Sequence, residues 1–130
     1  MKKLLIAAII SLSSVTTAAV AEVKVGIILG FTGPIESLTP AMRDGARMAF
    51  DEASNSGNLL GGETFTILEA DSTCVDSAAA TAAAEQLVAD GVAAIMGADC
   101  SGVTGAVNAN VAVPNGVLMV SPSATSPGLS

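Results

Sequence analysis

Two rhythms of apolar and polar residues alternate along the chain. Residues 23–30, "VKVGIILG", form a nearly continuous apolar, β-branched run closed by glycine, the pattern of a buried strand. "FTGPIESLTP" follows as a loop with a turn at Gly33-Pro34, and Thr39 or its neighbourhood is placed to cap a helix with Pro40 at its first position. From there Met42, Ala46, Ala49 and Ala53 recur on one stripe, with Arg43, Arg47 and Asp51 away from it, and Asn55-Ser56-Gly57 ends the segment. "TFTILEAD", residues 64–71, alternates as a second strand. "DSAAATAAAEQLVADG" is a strong helix former that starts near Asp76, stops at Gly91 and buries an apolar end at Leu87 and Val88. "VAAIMGA" predicts a third strand, residues 101 to roughly 112 a third helix ending before Pro114-Asn115-Gly116, and "VLMVSPSA" a fourth strand running into a Pro/Ser loop.

Strand and helix therefore alternate β-α-β-α-β-α-β. That order predicts an α/β fold: a parallel, Rossmann-like sheet with helices on both faces. In such sheets ligands bind outside the carboxyl ends of the strands. Those ends carry "GFTGP", "ADSTC", "GADCSG" and "SPSAT", so two hydroxyl-rich turns share one edge. The last strand is followed by no closing helix, and one sheet side is expected to be poorly covered, as in a fragment of a larger lobe whose exposed apolar surface promotes association.

The beginning of the chain stands apart. "MKKLLIAAIISLSSVTTAAVAEV" has two lysines, an apolar run too short to span a bilayer comfortably, and a small-residue site at Ala19-Val20-Ala21. Residues 1–21 read as a secretory signal peptide and residues 22–130 as the folded part. The whole chain has a formal charge of −7; without Lys2 and Lys3, three basic residues face twelve acidic ones, giving −9. Such a surface repels nucleic acid and anionic membranes and favours a soluble monomer. In an exported chain Cys74 and Cys100 read as one disulfide, against the alternative of two buried thiols. Two cysteines without a histidine make a poor zinc site, so neither a metal nor a cofactor is expected.

The chemistry on the strand edge suits binding better than catalysis. Ser101 lies where a strand gives way to a helix, a natural N-cap, and the N–H groups around Gly102, Val103 and Thr104 would attract an anion. Plain capping is the alternative. Ser123 and Thr125, with the backbone at Ala124 between them, offer hydroxyls and carbonyls; the alternative is a surface Pro/Ser loop. Amides on one turn with carbonyls and hydroxyls on the other would suit a zwitterion. A serine nucleophile has no histidine to serve as its base, and GxSxG, GxGxxG and GK[ST] are all missing. Asp71 is expected to organise its loop, while Asp99 could face either the cleft or solvent.

"KVGIILGFTGP", "DGARMAFDEAS", "DSTC", "GADCSGVT" and "VLMVSPSATSP" occur in the order seen in type I periplasmic binding proteins of the leucine/isoleucine/valine class, which this chain resembles from about residue 23 to its last residue. The resemblance implies an extracytoplasmic receptor that delivers a small amino acid to an inner-membrane ABC permease and is not an enzyme. Its two α/β lobes would close on the ligand about a hinge, residues 22–130 being the N-terminal part of the first. It implies that Ser101, Ser123 and Thr125 hold the amino acid's carboxylate and ammonium, and that Cys74 and Cys100 pair as in several relatives. Leu38 falls where some relatives carry an aromatic over the ligand's side chain, a departure that bears on the substrate, and binders of urea, short amides or aromatic acids share this sequence type. A membrane receptor's sensor domain is the second reading, and an exported α/β enzyme the third.

Overall fold

The apolar runs pair as the alternation demands. A computed structural model of the chain describes residues 22–130, so the leader assigned to residues 1–21 lies outside the described residues. Strand β1 (Glu22–Leu29) leads through a loop to helix α1 (Thr39–Asn55), then a 3-10 turn at Leu60–Gly62 and β2 (Thr64–Asp71). Helix α2 (Ser77–Ala89), β3 (Ala94–Gly97), α3 (Ser101–Val107) and β4 (Leu118–Val120) follow. The four strands make one parallel sheet in the order β2-β1-β3-β4, with Val25 opposite both Ile67 and Ala94, and Ile95 opposite Met119.

Alternation along β1 divides the core. Ile28 packs with Ala80, Ala84 and Leu87 of α2 and with Val103, Val107 and Val111, all buried. Gly26 lies on the same face, and a Cβ there would come 2.8 Å from Leu87, so this glycine sets how closely α2 approaches the sheet. Val25, Ile27 and Leu29 point the other way by the period of two, toward α1, where Phe50 meets Phe65 of β2 edge-on at 5.1 Å. Helices therefore cover both faces. Over β3 and β4, however, the α1 side leaves an open apolar groove of about 300 Å³, with Leu118 and Val120 more than half exposed.

Three local expectations are corrected. The N-cap of α1 falls at Leu38, beside Thr39, but has no side-chain cap bond, and Pro40 is the second helical residue rather than the first; Thr39 is buried and its hydroxyl donates to Gly30 O (3.3 Å) and Glu36 O (3.2 Å). On α1 the inner stripe passes through Phe50 rather than Ala49, which is exposed. Arg47 reaches across to Glu69 of β2 at 2.7 Å, an exposed pair worth about 0–1 kcal/mol. Finally, the third helix does not stop before Pro114. It continues through a π-turn at Asn108–Ala112 into a last α-turn, Val113–Asn115, and ends at Gly116 in the left-handed conformation. Within the π-turn the Val113 amide bonds to Asn108 O, a shifted register just ahead of the proline that lacks an N–H.

Candidate functional site

All four strand ends meet at one edge, and Asp99 binds three of them together. Its carboxylate, 3 % exposed, accepts from Gly30 N (2.7 Å) after β1, Ser72 Oγ (3.2 Å) after β2, and its neighbour Cys100 N (3.0 Å). Asp99 thus faces neither cleft nor solvent, which answers the question its position raised. Ser72 is itself fully buried and its amide bonds to Leu29 O at 2.8 Å.

A second staple lies nearer the surface. Asp71 accepts from Thr32 Oγ1 (2.6 Å), Thr32 N (3.3 Å) and Thr73 N (2.8 Å), so it organises its loop as the sequence suggested. Burial pushes its pKa up, but these donors, the Thr32 hydroxyl first, outweigh that and hold the carboxyl below the ordinary carboxylate value. A carboxyl whose pKa is lowered by folding contributes stability above its unfolded value and loses it as pH falls through the folded one. Acidification into and below the usual carboxylate range is therefore expected to weaken the wild-type protein more than an Asp71→Asn variant. Denaturant midpoints measured against pH check this, and parallel curves would contradict it.

Between the two staples, the disulfide Cys74–Cys100 joins the β2–α2 loop to the start of α3 with Cα atoms 5.2 Å apart. Thr73 and Cys74 both have positive φ, 57° and 69°. The N-cap of α3 is Cys100, not Ser101, which occupies the first helical position. Ser101 has a different task. Its Oγ accepts from the amides of Thr125 and Ser126, both at 3.2 Å, and so tethers the loop after β4 to the start of α3.

The hydroxyls at this edge divide by what they have left to offer. Ser121 Oγ donates to Ala98 O and accepts from Ala124 N (2.9 Å) and Ser123 N (3.4 Å), so it is fully used in shaping the loop. Ser123 Oγ donates to Asp99 O at 2.8 Å and keeps its lone pairs. Ser101 uses its lone pairs on two amides and keeps its proton. Thr125 is exposed, and its hydroxyl has no partner among the described residues. Thr104 corrects an expectation: its amide bonds to Cys100 O (2.9 Å), and its 7 % exposed side chain turns back to Ala98 O (3.0 Å) and Cys100 O (2.9 Å). The amides ahead of the first helical bond are those of Ser101, Gly102 and Val103. Nothing lies within 4 Å of where a Gly102 Cβ would stand, so packing does not require glycine there. Leu38, 56 % exposed, presents apolar surface from the β1–α1 loop at the same edge.

The rim lies open at the surface, with Ser123 and Thr125 exposed. A concavity of about 240 Å³ beside it, lined by Thr104, Asn108, Met119, Ser121, Ala124 and Leu129, lies under the loop instead. Among the described residues no three His, Cys, Asp or Glu side chains gather to hold a metal. The roles of Ser121, Ser72 and buried Asp99 were not foreseen from the sequence. The only signal was an aspartate directly after an apolar strand, which also fits a turn.

Residues 22–130 match the family model described as "Periplasmic binding protein". The chain is 34 % identical over 110 residues to a Leu/Ile/Val-binding protein of Rhizobium johnstonii, covering 85 % of this chain and 29 % of the relative. It is 31 % identical over 128 residues to the leucine-specific-binding protein of Salmonella typhimurium, covering 98 % and 34 %. Among solved structures it is similar to the branched-chain amino acid transporter substrate-binding protein LivJ of Streptococcus pneumoniae in complex with isoleucine. That match has a TM-score of 0.75 and 32 % identity over 83 % of this chain and 30 % of the other. The chain thus spans about a third of the length of these relatives.

Proposed function

Since the chain belongs to the periplasmic binding protein family, we propose that it forms the N-terminal part of the first lobe of an extracytoplasmic solute receptor. The receptor binds a small amino acid, branched-chain or similar, and delivers it to an inner-membrane ABC permease without chemical change. It works in the periplasm, reached through the leader at residues 1–21, and as a monomer. The relative of Streptococcus pneumoniae bound to isoleucine supports the ligand class.

The observation that carries the reading is the complementary spare capacity of the two turns. Ser101 retains a proton, with the amides of Gly102 and Val103 beside it, a set of donors for a carboxylate. Thr125 adds a free hydroxyl, while Ser123 retains acceptor capacity, and with the carbonyl of Ala124 it suits an ammonium. Leu38 lies at the edge where an aliphatic side chain would rest. Folding has already fixed these groups through Ser121, Ser101 and Asp99, so little ordering cost remains at binding.

A single open wall buries too little of a small zwitterion to hold it, and the opposite wall belongs to a second lobe. The ligand then biases a hinge equilibrium by contacting both walls in the closed form. In a form carrying the remaining length of its relatives, Thr125→Ala is expected to weaken isoleucine binding by about 1–3 kcal/mol through loss of one charge-assisted bond. Calorimetry reads it, and unchanged affinity would remove Thr125 from the site.

A further inference from the structure

We propose that Asp99 is a positioning residue of the ligand rim: its buried carboxylate fixes the register between the strand ends and the 121–126 loop, so that Ser101 and Ser123 stand where a ligand needs them. The inference rests on the reading of that rim as the ligand site, and it concerns a residue that would not touch the ligand.

Among the described residues Asp99 joins the ends of β1, β2 and β3 to the loop after β4. Through its side chain it fixes the Gly30 amide, the Ser72 hydroxyl and the Cys100 amide. Its main-chain oxygen accepts the Ser123 hydroxyl at 2.8 Å. Two residues on, Ser101 Oγ holds the amides of Thr125 and Ser126. Gly30 is tied in turn to the start of α1 by Thr39 Oγ1. A Cβ on Gly30 would sit 3.3 Å from Asp99 Oδ2 and 3.1 Å from Cys74 Cβ, so the carboxylate approaches this backbone as closely as a glycine allows. Among the described residues no lysine or arginine is paired with Asp99. Its charge is held by N–H and O–H donors alone, the arrangement that most depends on all of them staying in place.

An asparagine at 99 retains the shape but loses one acceptor. Whichever way the amide turns, an NH₂ group then meets either the Gly30 N–H or the Cys100 N–H and Ser72 hydroxyl. The main chain at 99 must shift, moving the carbonyl that aims Ser123 and the helix start that carries Ser101.

Two readouts test this, the first without ligand. In Asp99→Asn, amide hydrogen exchange at Ala124, Thr125 and Ser126 is expected to speed up by about tenfold or more, while core amides such as Ala84 and Ile95 stay within about twofold of wild type. Uniform acceleration everywhere, or none at these three amides, would overturn the proposal. Should Asp99→Asn not fold, Ser72→Ala removes one donor and is expected to speed up the same three amides by less; no local effect there overturns it equally. The second readout is isoleucine affinity in the two-lobed form. Asp99→Asn is expected to bind about tenfold or more weakly, and combining it with Ser123→Ala should cost less than the product of the two single losses. A full product would mean that Asp99 does not act through Ser123. If wild type binds no isoleucine while the exchange pattern holds, the ligand reading falls and the positioning role stands; if wild type binds but the exchange pattern fails, the reverse is true.

Discussion

Replacing Gly97 by alanine is expected to remove about 2–6 kcal/mol of folding stability. Gly97 ends β3 opposite Ile28 and has φ of 130°, a region closed to L side chains. A Cβ there would overlap the Ile28 carbonyl oxygen and stand 2.8 Å from Ile28 Cγ2. Ile28 is fully buried at the centre of the core shared with α2 and α3, so the neighbour that must move is backbone in the middle strand rather than the end of a flexible side chain. Backbone strain and overpacking each cost about 1–3 kcal/mol. Together they consume a large share of the roughly 5–15 kcal/mol that holds a domain folded. The effect also reaches function, because Ala98, Asp99 and Cys100 follow directly and carry the rim. Gly102→Ala is the control: a Cβ there meets nothing within 4 Å, and alanine is the better helix former. Circular dichroism with urea should show Gly97→Ala unfolding at a midpoint far below wild type and Gly102→Ala at or above the wild-type midpoint. A Gly97→Ala midpoint equal to wild type would contradict the packing described for β1 and β3.

Removal of the disulfide has the next largest expected effect. Cys74 and Cys100 are 26 residues apart, a loop whose closure in the unfolded chain is worth about 3.5 kcal/mol in the chain-entropy description. Two features make the site sensitive to its loss. Cys74 and the β-branched Thr73 both hold positive φ, a conformation that costs free energy in the fold and that the link helps to maintain. Cys100 is also the residue at which α3 begins, two positions from the nearest α3 amide proposed for the ligand. Reduction, or Cys74→Ala with Cys100→Ala, is expected to lower the melting temperature by more than about 10 °C. A reduced protein melting with the oxidised one would show that Asp99 and its partners fix the edge unaided.

Where the sequence was legible, local pattern decided the outcome. The strand at 64–71 and the start of α2 follow from local chemistry: alternation bounded by turn residues, and Asp76 accepting from the amides of Ala78 and Ala79. The parallel order follows from alternation of elements and the handedness of crossovers. Errors arose where distant groups compete with local ones. Thr39 and Ser101 look like caps in sequence, yet their hydroxyls serve the Gly30 carbonyl and the 125–126 amides brought in by folding. Pro114 looks like a stop, but a π-turn carries the helix past it. Ala49 and Phe50 are neighbours on one turn, and Phe65 of β2 with the apolar groove over β3 and β4 selects Phe50. At the site, the residue types on the strand edge were visible as donors and acceptors. Which of them folding consumes, as it does Ser121 and Thr104, depends on contacts up to 25 residues apart.

The central claim is that this edge is one wall of an amino-acid cleft. Its most direct test is a crystal structure, grown with isoleucine, of the chain extended to the length of its relatives. The account predicts the ligand carboxylate within hydrogen-bonding distance of Ser101 Oγ and the Gly102 amide, with its ammonium toward Ser123 and the Ala124 carbonyl. Isoleucine bound elsewhere, or a closed cleft whose ligand makes no contact with Ser101, Ser123 or Thr125, would contradict it.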